Sequence, residues 1–147
     1  MIEEVREFLG LFEGDPLEPE KRLRALALAL DKLSCAYHQT QRIYSDSLVE
    51  PPPNSRDDTS LISKYFPDFG WYPISDPLAS DSQKPMMADA LNDLSDIRQD
   101  LLEVLWRWDN VGEADAVDSF FFSYETHWGK FHLPGLRHYV IAKLLDS

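Results

Sequence analysis

Between Met86 and Trp108 the apolar residues Met87, Ala90, Leu91, Leu94, Ile97, Leu101, Val104, Leu105 and Trp108 recur every three or four positions. An α-helix gathers such a set into one stripe, and a helix this long must bury that stripe against other helices. A second set, Asp89, Asp93, Asp96, Asp100 and Glu103, keeps the same repeat. At about 100° per residue its centre lies roughly 120° round from the apolar centre, so it forms a flank. Carboxylates stacked in this way repel one another. The flank therefore calls for solvent, cationic neighbours or a metal ion.

A short break, Asn110-Val111-Gly112, separates this helix from a second long helical segment, Glu113–Leu145. Asn110 is suited to cap the second helix, with Glu113 completing a capping box. So short a connection predicts an antiparallel pair. In a continuous helix, Phe120, Tyr124, His127, Phe131 and His138 share one face, and Glu125, Trp128 and His132 share a neighbouring one. Pro134-Gly135 predicts a kink.

Upstream, Ile2, Val5, Phe8, Leu9 and Phe12 mark a short helix over residues 2–13. Pro19 opens another, running to about Tyr44, with Leu23, Leu26, Ala27, Leu30, Leu33 and Tyr37 on its buried face and His38 at the edge. Ser45–Asp58 reads as a connection stiffened by Pro51-Pro52-Pro53. Asp57-Asp58-Thr59-Ser60 can cap a short helix, Leu61–Phe66. From Pro67 to Leu78 the chain is irregular, and Phe69, Trp71, Tyr72 and Ile74 must cover the core to avoid an apolar patch. Leu78–Lys84 is a polar linker, and Pro85 is placed to start the next helix. No segment alternates as a strand would. The expectation is all-α: one domain over residues 1–147, a compact bundle of four to five helices with one irregular aromatic-rich loop.

Charge narrows the function. The formal net charge is −12 over 147 residues. Such a chain is repelled by phosphate backbones and anionic membrane surfaces, so neither nucleic acid nor membrane is an expected partner. A basic protein partner or a bound cation suits it. Cys35 is the one cysteine, which excludes an internal disulfide and fits a reducing cytoplasm. Its place near the apolar side of a helical pattern reads as buried and inert. The N-terminus has no basic region followed by an apolar core, and no apolar run approaches the roughly 20 residues needed to span a bilayer. The expected location is the cytoplasm.

Phosphate-cradling glycine loops, cysteine-based zinc patterns, nucleophile elbows and His-Glu-x-x-His are all missing. What remains is a constellation. Asp93, Asp96 and Asp100 on one helix stand level with Glu125, His127 and His132 on the next when the pair is antiparallel. Carboxylates and imidazoles facing each other in a bundle can hold a divalent metal, which can activate water for hydrolysis. Asp93, Asp96, Glu125 and His127 are the candidate metal ligands, with His132 a candidate acid or base. The plainer reading leaves the aspartates solvated or paired with Arg98, Arg107, Lys130 or Arg137, while His127 and Trp128 satisfy hydrogen bonds in the core. A third arrangement is a ligand pocket formed by Trp71, Tyr72, Tyr124, Trp128 and His132.

Two of these stretches carry a family likeness. Asp93-Leu94-Ser95-Asp96-Ile97-Arg98-Gln99-Asp100-Leu101 and Phe122-Ser123-Tyr124-Glu125-Thr126-His127-Trp128-Gly129-Lys130 resemble motifs of the bacterial family catalogued as domain of unknown function 5063. Tyr72–Leu78 looks like the aromatic Asp-Pro loop that precedes those motifs. The likeness covers roughly residues 60–140 and departs at His132-Leu133-Pro134-Gly135, where the family pattern implies an unbroken helix. It implies a small helical bacterial protein and singles out Asp93, Asp96, Asp100, Glu125, His127 and Trp128, but it brings no activity. Three functions follow as expectations. The first is a non-enzymatic interaction or accessory protein without a cofactor. The alternatives are a metal-dependent helical hydrolase of a phosphorylated small molecule and a small-ligand binding module.

Overall fold

The computed structural model describes residues 1–53, 58–80 and 84–146. Six α-helices, α1 (Ile2–Gly10), α2 (Pro19–Gln39), α3 (Thr59–Tyr65), α4 (Ala90–Asn110), α5 (Glu113–Thr126) and α6 (Leu133–Leu145), are joined by two short strands and a single π-helical turn, Trp128–His132. Helix α4 lies at the centre, against α1, α3, α5, α6 and the π turn, while α2 packs on α1 and α6. The predicted stripe explains this place: Ala90, Leu94, Ile97, Leu101 and Val104 are fully buried. They meet Val5 and Phe8 of α1, Leu26, Leu30 and Leu33 of α2, and Phe120, Trp128 and Leu136 in one core.

The fold is mostly helical, but it is not all-α. Trp71–Ile74 (β1) and Met86–Asp89 (β2) form a two-stranded antiparallel sheet, with Trp71 opposite Asp89 and Ile74 opposite Met86. Tyr72 is buried while Trp71 and Pro73 face outward. Phe69, Tyr72 and Ile74 of the aromatic loop thus cover the core, while Trp71 does not. Met86 and Met87 sit in the strand and are exposed, so the long helix starts four residues later than its apolar spacing suggests. Asp89 ends the strand and caps α4, its Oδ1 accepting the Leu91 amide at 3.0 Å. Pairing with the preceding strand overrides the helical propensity of Met-Met-Ala.

Several boundaries differ for local reasons. Helix α1 ends at Gly10, and α2 ends at Gln39 in place of Tyr44, leaving 41–53 without helix or strand. Asn110 is the last residue of α4, and its side-chain amide donates to the Trp106 carbonyl at 2.9 Å. The cap of α5 is Gly112, at φ +149°, a conformation that favours glycine. Asp58 precedes α3 without capping it by its side chain. Asp57 and part of the expected 78–84 linker lie outside the described residues. Cys35, expected buried, is exposed on α2. Among the described residues no helix is long and apolar enough to cross a membrane.

Candidate metal centre

The second long helix breaks where the chemistry lies. Helix α5 stops at Thr126, His127 adopts φ −139°, ψ −90°, and the chain makes one π turn before α6. The Leu133 amide donates to the Trp128 carbonyl, five residues back. Pro134 does not cause the break. It occupies the first turn of α6, where its missing donor costs nothing. Gly129 makes the turn possible: a Cβ there would sit 2.5 Å from the Tyr124 ring. The consequence is geometric. In an α-helix residues five apart point about 140° away from each other, whereas the wider π turn brings them back toward one side. His127 and His132 meet with ring centroids 4.7 Å apart.

Each imidazole is held from behind by a carboxylate of α4. His127 Nδ1 lies 2.5 Å from Asp100 Oδ2, and His132 Nδ1 lies 2.8 Å from Asp93 Oδ1. The partner oxygens accept, which assigns the proton on each ring to Nδ1. Asp93 is buried, and its second oxygen accepts the hydroxyl of Tyr72. Burial, then this bond to Asp93, pushes the Tyr72 phenol well above its ordinary range, so it remains a donor. Gly135 leaves room for it: a Cβ at that position would lie 2.9 Å from the Tyr72 hydroxyl oxygen.

The other ring nitrogens point at each other. His132 Nε2 is 3.2 Å from His127 Nε2 and 3.2 Å from Asp96 Oδ2. With both Nδ1 atoms carrying the ring protons, two imidazole lone pairs and a carboxylate oxygen converge. Asp96 Oδ2 already accepts the Asn92 side-chain amide at 3.2 Å, but the two facing Nε2 lone pairs require a cation between them, either a proton or a metal ion. The proton answer is visible in the electrostatics. Burial pulls His132 down, but the Asp93 bond and the charges of Asp96, Asp93 and Asp100 outweigh it, and its pKa lies above the ordinary 6.5. Burial raises the Asp100 carboxyl, with the bond to His127 opposing it.

The two distances from His132 Nε2, 3.2 Å to His127 Nε2 and 3.2 Å to Asp96 Oδ2, suit a metal ion. A tetrahedral ion bound at about 2.0–2.1 Å sets neighbouring ligand atoms roughly 3.3 Å apart. Asp96, His127 and His132 offer ligand atoms that all lie within 4.8 Å of one another. Carboxylates behind the histidines are the arrangement that fixes tautomer and ring orientation in metal sites. Solvent reaches the cluster, since the side chains of His127 and Asp96 are 43% and 33% exposed while His132 is 15% exposed.

The expected ligands therefore sort into different places. The structure brings Asp96 and His127 together, and His132 stands with them as a third ligand candidate in addition to its expected acid–base role. Asp93 stands one layer back. Glu125 does not belong to the cluster: its Oε1 takes Tyr37 Oη at 3.0 Å and Arg42 Nη1 at 2.7 Å. Its i−2 spacing from His127 points it toward α2. The expected arginine pairings also differ. Arg98 goes to Asp58, Arg107 to Glu103 and Asp115, and Arg137 to Asp31. The proposed aromatic pocket does not form as one cavity. Trp71 faces outward, Tyr72 is tied to Asp93, Tyr124 stacks on Tyr37 at 3.9 Å, and Trp128 is fully buried, its ring N–H on Ser123 Oγ at 2.9 Å. Sequence reading missed the π turn, whose one local signal is Gly129 inside a helical pattern. No local signal announces the Tyr72–Asp93 link.

No protein-family model, no curated protein and no solved structure matches this chain.

Proposed function

We propose that this chain is a divalent-metal protein whose centre is formed by Asp96, His127 and His132, and that it acts as a metal-assisted hydrolase. The observation that supports this is the meeting of the two Nε2 atoms at 3.2 Å, with each Nδ1 committed to its own aspartate. Two imidazoles and one carboxylate favour Zn²⁺ or another transition ion over Mg²⁺, which prefers oxygen ligands and retained water. Three protein ligands leave a coordination position for water, and a metal ion brings the pKa of such water to about 7. Asp93 and Asp100 keep both rings in the ligating tautomer, and Tyr72 holds Asp93. The same reading takes the chain as a cytoplasmic relative of the family of unknown function 5063, a kinship that brings no activity with it.

The test is metal content of untagged protein, paired with thermal unfolding in Zn²⁺, Mn²⁺, Mg²⁺ and chelator. The expected result is near-stoichiometric Zn²⁺ or Mn²⁺ and a raised Tm that chelator reverses. A ligand held at about one hundred times its Kd contributes about 2.7 kcal/mol. The double variant Asp96→Asn, His127→Ala should lose the whole effect. If wild type and variant respond alike, the metal reading is wrong.

A further inference from the structure

A neutral amide borders the proposed centre. Asn92 is exposed on α4, one turn before Asp96, and its side-chain N–H donates to Asp96 Oδ2 at 3.2 Å. The same oxygen stands 3.2 Å from His132 Nε2, which stands 3.2 Å from His127 Nε2. Each step in this row is close to the separation of neighbouring ligand atoms around a tetrahedral ion, about 3.3 Å. The Asn92 amide thus lies one such spacing from the ligand atom of Asp96. Its second N–H and its carbonyl oxygen make no hydrogen bond among the described residues. A donor and an acceptor stand ready at the solvent side of the centre.

Charge sorts what can bind beside that amide. Asp93 and Asp100 hold the imidazoles, and Asp96 offers the carboxylate ligand. Three carboxylates against one divalent ion leave the loaded centre with about one net negative charge. The nearby cations do not offset it. Arg98, two residues from Asp96, bonds Asp58 at 2.6 Å, and Arg107 bonds Glu103 at 2.9 Å and Asp115 at 2.8 Å. Lys130 is three residues from His127 in a turn that closes after about five, which sets it on the far side. Its ammonium is exposed and lies 5.2 Å from the centre of the Phe131 ring. A phosphoryl group would meet like charge and no guanidinium to receive it. An uncharged carbonyl meets no such penalty. Its oxygen can be polarised by a bound ion, and an amide N–H stabilises the negative charge that develops on it.

We infer that the centre takes an uncharged acyl compound, a carboxylic ester or amide, and that the Asn92 amide receives it at the open coordination position. This rests on the metal reading above and deepens it. The reaction is hydrolysis. Water adds to the acyl carbon, and the bond from that carbon to the ester oxygen or amide nitrogen breaks. One water proton passes to the leaving atom, and the other is released as the new carboxylic acid ionises. Charge thus favours an acyl substrate over the phosphorylated molecule expected from sequence.

Two hydroxamates of matched length test it. Butyrohydroxamic acid and succinic monohydroxamic acid share one metal-binding head and differ in a terminal methyl against a terminal carboxylate. In calorimetric titration of the full chain at saturating Zn²⁺, the neutral compound should bind at least about ten-fold tighter. Asn92→Ala should weaken it about five-fold at the same saturation. Alanine is the better helix former, so this variant should keep its metal-free Tm, which separates contact with the ligand from a structural role. Asn92→Lys supplies the missing cation and should cut the preference for the neutral compound about five-fold. The Zn²⁺-loaded chain should hydrolyse 4-nitrophenyl butyrate and leave 4-nitrophenyl phosphate intact. Equal affinity for the two hydroxamates, or faster turnover of the phosphate ester, would overturn the substrate class. Neutral affinity unchanged in Asn92→Ala, or a preference unchanged in Asn92→Lys, would remove Asn92 from the site. A chain that takes up no Zn²⁺ sinks the metal reading and this inference with it. Zn²⁺ uptake with any of the contrary results above sinks this inference alone.

Discussion

Helix α4 carries two polar clusters within a few residues of each other, and they differ in how donors and acceptors balance. In the first, Asp58 is buried and receives the Ser95 hydroxyl on one oxygen and Arg98 Nη1 at 2.6 Å on the other. Each carboxylate oxygen has a donor, and the charge has a counter-charge. In the second, Asp93 and Asp100 are likewise served by donors, but the histidines that serve them turn two further acceptors toward Asp96. The first cluster is complete with protein groups alone and reads as a structural tie between the segment before α3 and α4. The second is complete only with a cation. An ion pair among acidic residues is thus no sign of function by itself.

The largest effect should come from breaking the complete cluster. Asp58→Ala would leave Arg98, which is mostly buried, without its carboxylate. Loss of one partner of such a pair costs about 3–5 kcal/mol. Denaturant unfolding should show this loss equally with and without Zn²⁺. A loss that Zn²⁺ modulates would mean the two clusters are coupled and the comparison too sharp.

A smaller effect should follow from disturbing the second layer of the incomplete cluster. Tyr72→Phe removes the donor to Asp93, and Gly135→Ala pushes against the same hydroxyl. Second-layer changes weaken metal binding by about ten- to a hundred-fold. Zn²⁺ titration should therefore separate both variants from wild type. Their metal-free stability should fall by only about 1–3 kcal/mol, the range for overpacking or a lost buried hydrogen bond. Unchanged Zn²⁺ affinity in both would remove Tyr72 from the site.

The smallest effect is on pH. The folded pKa of His132 lies above its ordinary 6.5, so its stabilising contribution is fully present below that value. It is lost as pH rises through the higher folded value. Asp100, also raised, acts in the same direction above its ordinary 3.8, because folding favours its neutral form. Metal-free protein should then lose Tm as pH rises above 6.5. His132→Asn should flatten that slope. Zn²⁺ should reverse it, since the metal takes the place of the proton. Tm followed by circular dichroism over pH checks all three. A wild-type slope identical to that of the variant would mean the imidazole does not carry the cation in the metal-free state.

Much of the fold was legible because periodicity is a local property. The α4 stripe, its acidic flank and the antiparallel packing of α5 all follow from spacing and from the short break at Gly112. Asp96 and His127 could be set at one height by counting residues from that break. Glu125 could not be separated from them in this way, since height along a helix says nothing about direction around it. Its turn toward Tyr37 and Arg42 depends on α2, a helix distant in sequence.

Sequence alone determined that a long apolar stripe would be buried, that acidic residues would line its flank, and that histidines would stand level with them. The tertiary structure decided the rest. Strand pairing took Met86–Asp89 out of the helix, and the π turn swung His132 onto His127. Packing of β1 delivered Tyr72 to Asp93. The physical reason is the same in each case. Local propensity differs by about 1 kcal/mol or less per residue among ordinary residues, so a partner brought in from elsewhere in the chain can override it. Hydrogen-bond acceptors become a site only when such partners force them together.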